Sequence, residues 1–157
     1  MKKITLSILS LIAASQLLFA EALPASKDPA MQKQADKQIK MQNSEVVKSV
    51  IAELSKKVPQ KVDKFTTFTK IENEGLTLIY TYEINAPAKS DDEIRAKDRT
   101  RMEEAVVYGV CTRSKRFLES DISLTYLYVS AKSKEELFRF EITPKSCSEV
   151  WASLKKK

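Results

Sequence analysis

Two aromatic-rich runs, Ile122-Ser-Leu-Thr-Tyr-Leu-Tyr128 and Leu137-Phe-Arg-Phe-Glu-Ile142, lie between Cys111 and Cys147, the only two cysteines of this 157-residue chain. In the second run Phe138, Phe140 and Ile142 point one way while Leu137, Arg139, Glu141 and Thr143 point the other, the period-two pattern of a strand with one buried face. Joined by Ala131-Lys-Ser-Lys-Glu135, the two runs read as a β-hairpin over 122–130 and 137–143. A single strongly apolar face suits an antiparallel sheet covered by helices on one side. A bridge between the cysteines ties the end of a helix to the exit of the last strand and contributes about 3 kcal/mol by loop closure.

Upstream of the bracket, Ser90-x-x-Glu93 is a capping box. It opens a helix that buries Ile94, Met102, Ala105, Val106, Gly109 and Val110 and ends near Cys111. Ala86-Pro87-Ala88-Lys89 breaks the chain before it. Earlier still, Phe65–Ile71 and Leu76–Ile84 flank Glu72-Asn-Glu-Gly75, where glycine supplies the positive φ of a reversal, so a first hairpin is expected. In its second strand Leu76, Leu78, Tyr80, Tyr82 and Ile84 share the core face. Asp28-Pro29 is an N-cap followed by proline at the first helical position. The helix it starts carries the stripe Val47, Val50, Ile51, Leu54 and Val58, and Pro59 stops it. Its first half, Met31–Gln42, has only a thin stripe through Met31, Ala35 and Ile39 and is either a solvated extension or a docking surface. Downstream, Ser146-x-x-Glu149 reads as another capping box before a short helix with Val150, Trp151 and Leu154. The expected class is α+β, in the order α-β-β-α-β-β-α, with an antiparallel sheet of about four strands. Leu76-Thr-Leu-Ile-Tyr-Thr-Tyr82 echoes the run at 122–128, either as a trace of duplication or because amphipathic strands with tyrosines look alike.

The chain begins Met1-Lys2-Lys3 and runs apolar from Ile4 to Ala20, the charged and apolar regions of a secretory signal. Cleavage is expected after Ala20 or Ala22, giving residues 1–22 as signal and 23–157 as one α+β domain in which 23–42 is a candidate exposed arm. No cysteine follows the apolar region, so a lipid-modified N-terminus is not expected, and no stable membrane span is expected after processing. The expected location is the periplasm or the exterior. Export and a lone cysteine pair point to a disulfide rather than to free thiols. The formal charge of +6 falls to +4 when Lys2 and Lys3 leave, or to +5 if Glu21 leaves too. That favours weak attraction to anionic surfaces.

Histidine is absent, which removes Ser-His-Asp, Cys-His and His-ligated metal sites. Two glycines, Gly75 and Gly109, leave no phosphate-cradling loop. No catalytic residue, metal or cofactor is therefore expected. Arg95, Lys97, Arg99 and Arg101 on the second helix are interleaved with Asp91, Asp92, Asp98, Glu103 and Glu104, including an i, i+4 pair of Asp91 with Arg95. A mixed surface without alternating aromatic residues does not suit nucleic acid. The candidate binding surface is Tyr80, Tyr82, Tyr126 and Tyr128 with Arg95 and Arg99, the tyrosines lining a groove on the less apolar sheet face or packing the core.

Val58-Pro59, Val62-Asp63, Leu76-x-Leu-x-Tyr-x-Tyr82, Cys111, Phe117-Leu118, Leu124-x-Tyr-x-Tyr128, Phe138-x-Phe-x-Ile142 and Cys147 together resemble a family of small exported disulfide-bonded bacterial proteins of unassigned function. The resemblance covers residues 45–147. Asp121 stands where one of that pattern's glycines would fall. The resemblance implies a disulfide-bonded α+β domain in the envelope. In architecture the chain is also similar to disulfide-bonded pilot proteins of secretion systems, although those are usually lipoproteins. The functional expectation is a non-enzymatic envelope protein that binds another envelope protein as an assembly or accessory factor. The alternatives are a small-ligand or glycan binder and an inhibitor or immunity-type protein.

Overall fold

The computed structural model describes residues 28–154, so the expected signal segment and its cleavage point lie outside the described residues. Helix α1 spans Pro29–Ser55, with the Asp28 carboxylate accepting from the Ala30 N–H at 2.9 Å and Pro29 in the first turn. At 27 residues it is about 40 Å long. Only its second half touches the domain, through buried Val47 and half-buried Val50, Ile51 and Leu54; residues 29–42 are exposed throughout. The helix ends at Ser55, before the proline that was expected to stop it.

A two-residue strand β1, Gln60–Lys61, follows and is paired to β2, Thr66–Glu74. Strand β3, Thr77–Ile84, returns after a two-residue loop, Gly75-Leu76, tighter than the four-residue loop expected. Gly75 there has φ 57°, the left-handed value for which glycine carries no Cβ penalty. A bulge between Phe68 and Lys70 brings both Phe68 and Ile71 onto the core face, opposite Tyr82 and Tyr80. That is why these apolar residues are spaced by three instead of two.

Helix α2, Asp91–Arg113, opens on a complete capping box: the Glu93 N–H donates to Ser90 Oγ at 3.2 Å and the Ser90 N–H to Glu93 Oε2 at 3.1 Å. A short α3, Lys115–Glu119, was not legible in advance. The chain then turns at Asp121, whose φ of 58° is the left-handed conformation that aspartate tolerates better than most residues. Strands β4, Ser123–Ser130, and β5, Glu136–Ile142, form the second hairpin, and α4, Ser148–Leu154, closes the described chain.

The class and element order are as expected, but the sheet is mixed and five-stranded, in the order β1-β2-β3-β4-β5. Strands β3 and β4 run parallel in register from Thr77 opposite Ser123 to Ile84 opposite Ser130. Parallel neighbours need a crossover, and α2 with α3 supplies it. The sequence echo thus lands on two strands lying side by side, with Tyr80 opposite Tyr126 and Tyr82 opposite Tyr128. Shared surroundings on adjacent central strands favour the same residue types.

Cys111 and Cys147 are bonded, with a Cα separation of 5.3 Å, and both are fully buried. The bridge joins the last turn of α2 to the residue before α4, where the Trp151 indole N–H also donates to the Cys111 carbonyl at 2.8 Å. Strand β4 is paired along its length to β3, so the second hairpin is held by the sheet as well as by the crosslink. Ser146 does not cap α4. Its hydroxyl accepts from the Thr143 N–H and donates to the Glu141 carbonyl, while the first turn of α4 is closed by the Trp151 N–H donating to the Cys147 carbonyl at 2.9 Å.

Candidate functional site

The register lays two aromatic rows across one sheet face. Phe68, Tyr82, Tyr128 and Phe138 are successive cross-strand neighbours, as are Ile71, Tyr80, Tyr126 and Phe140. Tyr82 and Tyr128 stack with ring centroids 5.1 Å apart, and Tyr80 and Tyr126 at 5.2 Å, within the range where aromatic pairs add to simple burial. These residues lie on the helix-bearing face, as the core-packing alternative required, and not on the less apolar face that the groove alternative required. The opposite face carries Thr77, Ile79, Thr81, Thr125 and Leu127.

Helix α1 packs over β2 and α2 over β5, so the middle of the aromatic rows lies between them. The outer residues Phe68, Phe138 and Phe140 are buried, as is Tyr128, whereas Tyr80, Tyr82 and Tyr126 are only half-buried. Tyr82 and Tyr126 form the floor of a groove of about 270 Å³ walled by Ala105, Val106, Gly109, Val110 and Arg113 of α2. The preceding turns of α2 line a larger recess of about 760 Å³ with Phe65, Ile84, Pro87, Ile94 and Met102 at its apolar surface. From Ala105 to Arg113 the α2 wall of the groove is about 12 Å long.

Charges flank the larger recess. Asp98 pairs with Lys89 at 2.7 Å and Arg101 at 3.4 Å, and the Lys89 contact holds its carboxyl below the usual range. Burial alone would raise Asp63, but the Phe65 and Thr66 N–H groups donate to its carboxylate at 2.7 and 2.8 Å and lower it on balance. These bonds fix the loop that presents Phe65, which is 45% exposed.

Burial pushes Tyr80 and Tyr128 up to about 12, with neighbouring charges adding to the rise, and raises Tyr82 further; Tyr126 is raised by burial against the opposing pull of Arg113. All four phenols are therefore neutral at physiological pH. Among the described residues none of their hydroxyls has a protein hydrogen-bond partner, and none is fully buried, so the groove presents ring faces with free hydroxyls. An unfolded tyrosine loses its proton near pH 10, whereas the folded one keeps it to about pH 12, so stability is lost as pH rises from about 10 to 12. An ultraviolet titration of phenolate absorbance is expected to show at least two tyrosines ionising near 12, or only with alkaline unfolding.

The structure divides the anticipated binding residues into two groups. Arg95 and Arg99 lie on the β5 side of α2, away from the groove: Arg95 donates to the Glu136 carbonyl at 3.1 Å and pairs with Asp92, and Arg99 sits over the Phe140 ring at 5.8 Å. Asp91, expected to pair with Arg95, instead accepts the Ser130 and Ser133 hydroxyls at 2.9 and 2.7 Å. Gly109 and Arg113 line the groove, and Phe65 and Met102 the larger recess, but none gave a sign of it in sequence, because both hollows arise from the packing of α2 on the sheet. Among the described residues no group of His, Cys, Asp or Glu is arranged to hold a metal, and no helix is long and apolar enough to cross a membrane.

Gly109 faces open space, with no atom within 4 Å of where a Cβ would sit. Gly109→Ala is expected to raise stability by about 0.5–1 kcal/mol, since it removes a mid-helix glycine without a clash. A denaturant midpoint measurement checks this; an unchanged or lowered midpoint contradicts it.

No family model matches the chain, and neither does any curated protein. Among solved structures, a Pseudomonas aeruginosa protein classed as secreted superposes with a TM-score of 0.61 at 18% identity, over 69% of this chain and 96% of that one. The type II secretion system pilotin AspS of Vibrio cholerae superposes with a TM-score of 0.58 at 16% identity, over 72% of this chain and 99% of its own. The Vibrio vulnificus pilotin EpsS gives 0.50 at 12% identity, over 74% and 97%. What is shared is the fold. At these identities the likeness carries no residue roles across.

Proposed function

We propose that this protein is an exported, non-enzymatic accessory factor of the bacterial envelope that holds a helical segment of another envelope protein in the groove between α1 and α2. The observation that carries the reading is the pair of aromatic rows left uncovered between the helices, with Tyr80, Tyr82 and Tyr126 half-buried and their hydroxyls unbonded. A groove wall of about 12 Å suits roughly two turns of helix, whose apolar stripe would lie on the tyrosine rings. The fold shared with type II secretion pilotins supports an assembly role in place of catalysis. Location in the periplasm or outside the cell belongs to the same proposal and rests on the signal-like N-terminus and the buried disulfide.

The test is co-purification from envelope extract with wild type, Tyr126→Ala, Ala105→Trp and Leu127→Glu, each checked for an unchanged fold by circular dichroism. A stoichiometric partner retained by wild type and Leu127→Glu but lost from the two groove variants supports the reading. Loss confined to Leu127→Glu moves the site to the open sheet face. Retention of a glycan or small molecule in the groove in place of a polypeptide replaces the protein-binding reading with a ligand-binding one.

A further inference from the structure

The two edges of the sheet are treated differently. At the β5 edge, Arg95 binds the Glu136 carbonyl at one end, and the Ser146 hydroxyl binds the Glu141 carbonyl at the other. Side chains thus occupy a carbonyl at each end of this edge, which another strand would need. At the β2 edge the only cover among the described residues is β1, which pairs with Phe68 and Thr67 and goes no further. The stretch Lys70–Glu74 has no strand beside it on that side.

The hairpin geometry shows which groups this stretch offers. Glu74 opposite Thr77 closes a two-residue loop, so its backbone bonds inward to β3. By alternation Glu72 also bonds inward, and the N–H and C=O groups of Ile71 and Asn73 point outward. Lys70, Glu72 and Glu74 share the sheet face opposite the helices. Lys70 pairs with Glu72 at 2.7 Å, and among the described residues Glu74 makes no ion pair.

We propose that this edge takes up an extended segment of another protein as an added strand in line with β1, and that the segment carries basic residues at alternating positions. Two cations two residues apart meet Glu72 and Glu74, while the backbone bonds to Ile71 and Asn73. The site is separate from the aromatic groove and does not depend on what that groove binds.

The test uses the processed protein and the synthetic peptide Thr-Lys-Val-Lys-Val-Thr-Thr, with termini blocked and at millimolar concentration, against a control in which every lysine is glutamate. Amide exchange is followed by NMR. The lysine peptide is expected to slow exchange at Ile71 and Asn73 at least tenfold and the glutamate peptide to leave both unchanged. In the Glu72→Lys, Glu74→Lys double variant the preference should invert. Equal slowing by both peptides, no slowing at either amide, or protection confined to groove residues such as Gly109 overturns the proposal. So does slowing at Ile71 and Asn73 that appears without peptide as protein concentration rises, since the edge would then be pairing with a second copy.

Discussion

Replacing Phe138 by alanine is expected to lower the unfolding free energy by about 3–5 kcal/mol, the range for truncating a buried aromatic residue. Phe138 is 1% exposed and ends the row that begins at Phe68, meeting Tyr128 edge-on at 6.3 Å and stacking on Phe140 at 5.8 Å. It lies on β5, the strand that α2 covers, so no neighbouring strand beyond β5 can close over the void. A loss of this size is a large fraction of what a single domain has. Urea unfolding measures it. A loss below about 1 kcal/mol would mean that the row is not the packed centre of the fold. Leu127→Ala on the open face serves as the comparison and should cost much less, being only half-buried.

The second large effect belongs to the disulfide. Cys111→Ser and Cys147→Ser should each destabilise by about 2–5 kcal/mol, and the double variant by no more than either alone, because all three remove the same crosslink. With a sequence separation of 36, the bridge removes substantial loop entropy from the unfolded chain. The structure also predicts where the loss is felt. Helix α4 has seven residues, no fully buried side chain, and is held to α2 by the bridge and by the bond from Trp151 to the Cys111 carbonyl. Hydrogen exchange should therefore rise first over 148–154, with β3 and β4 protected by their parallel pairing. Earlier loss across 123–142 would show that the second hairpin depends on the clamp after all.

Much of this architecture was legible in the residues because it is written in local chemistry. The Asp28-Pro29 start of α1, the Ser90 and Glu93 box of α2, the glycine of the first hairpin and the alternation of 137–142 each report a nearest-neighbour constraint. The largest miss is long-range. The parallel pairing of β3 with β4 depends on how a crossover helix returns the chain, and the alternation pattern is the same for either direction. The bulge after Phe68 concealed the strand period, and Ser146 matched a cap motif while its hydroxyl bonds Thr143 and Glu141. The four tyrosines share one sheet face, but nothing local shows that α1 and α2 stand apart over them, or that Arg95 and Arg99 belong to the far side of α2.

The most direct test of the groove between α1 and α2 as the binding face is site-specific photocrosslinking in living cells, with a benzoylphenylalanine placed at Gly109 in one strain and at Leu127 in another. Gly109 opens on the groove without touching the core, and Leu127 lies on the opposite sheet face. One crosslinked envelope protein is expected from Gly109, with the adduct mapping to a single helical segment of the partner and disappearing when Tyr126→Ala is added, and no adduct from Leu127. An adduct from Leu127 alone, or one from Gly109 that survives Tyr126→Ala undiminished, would contradict it.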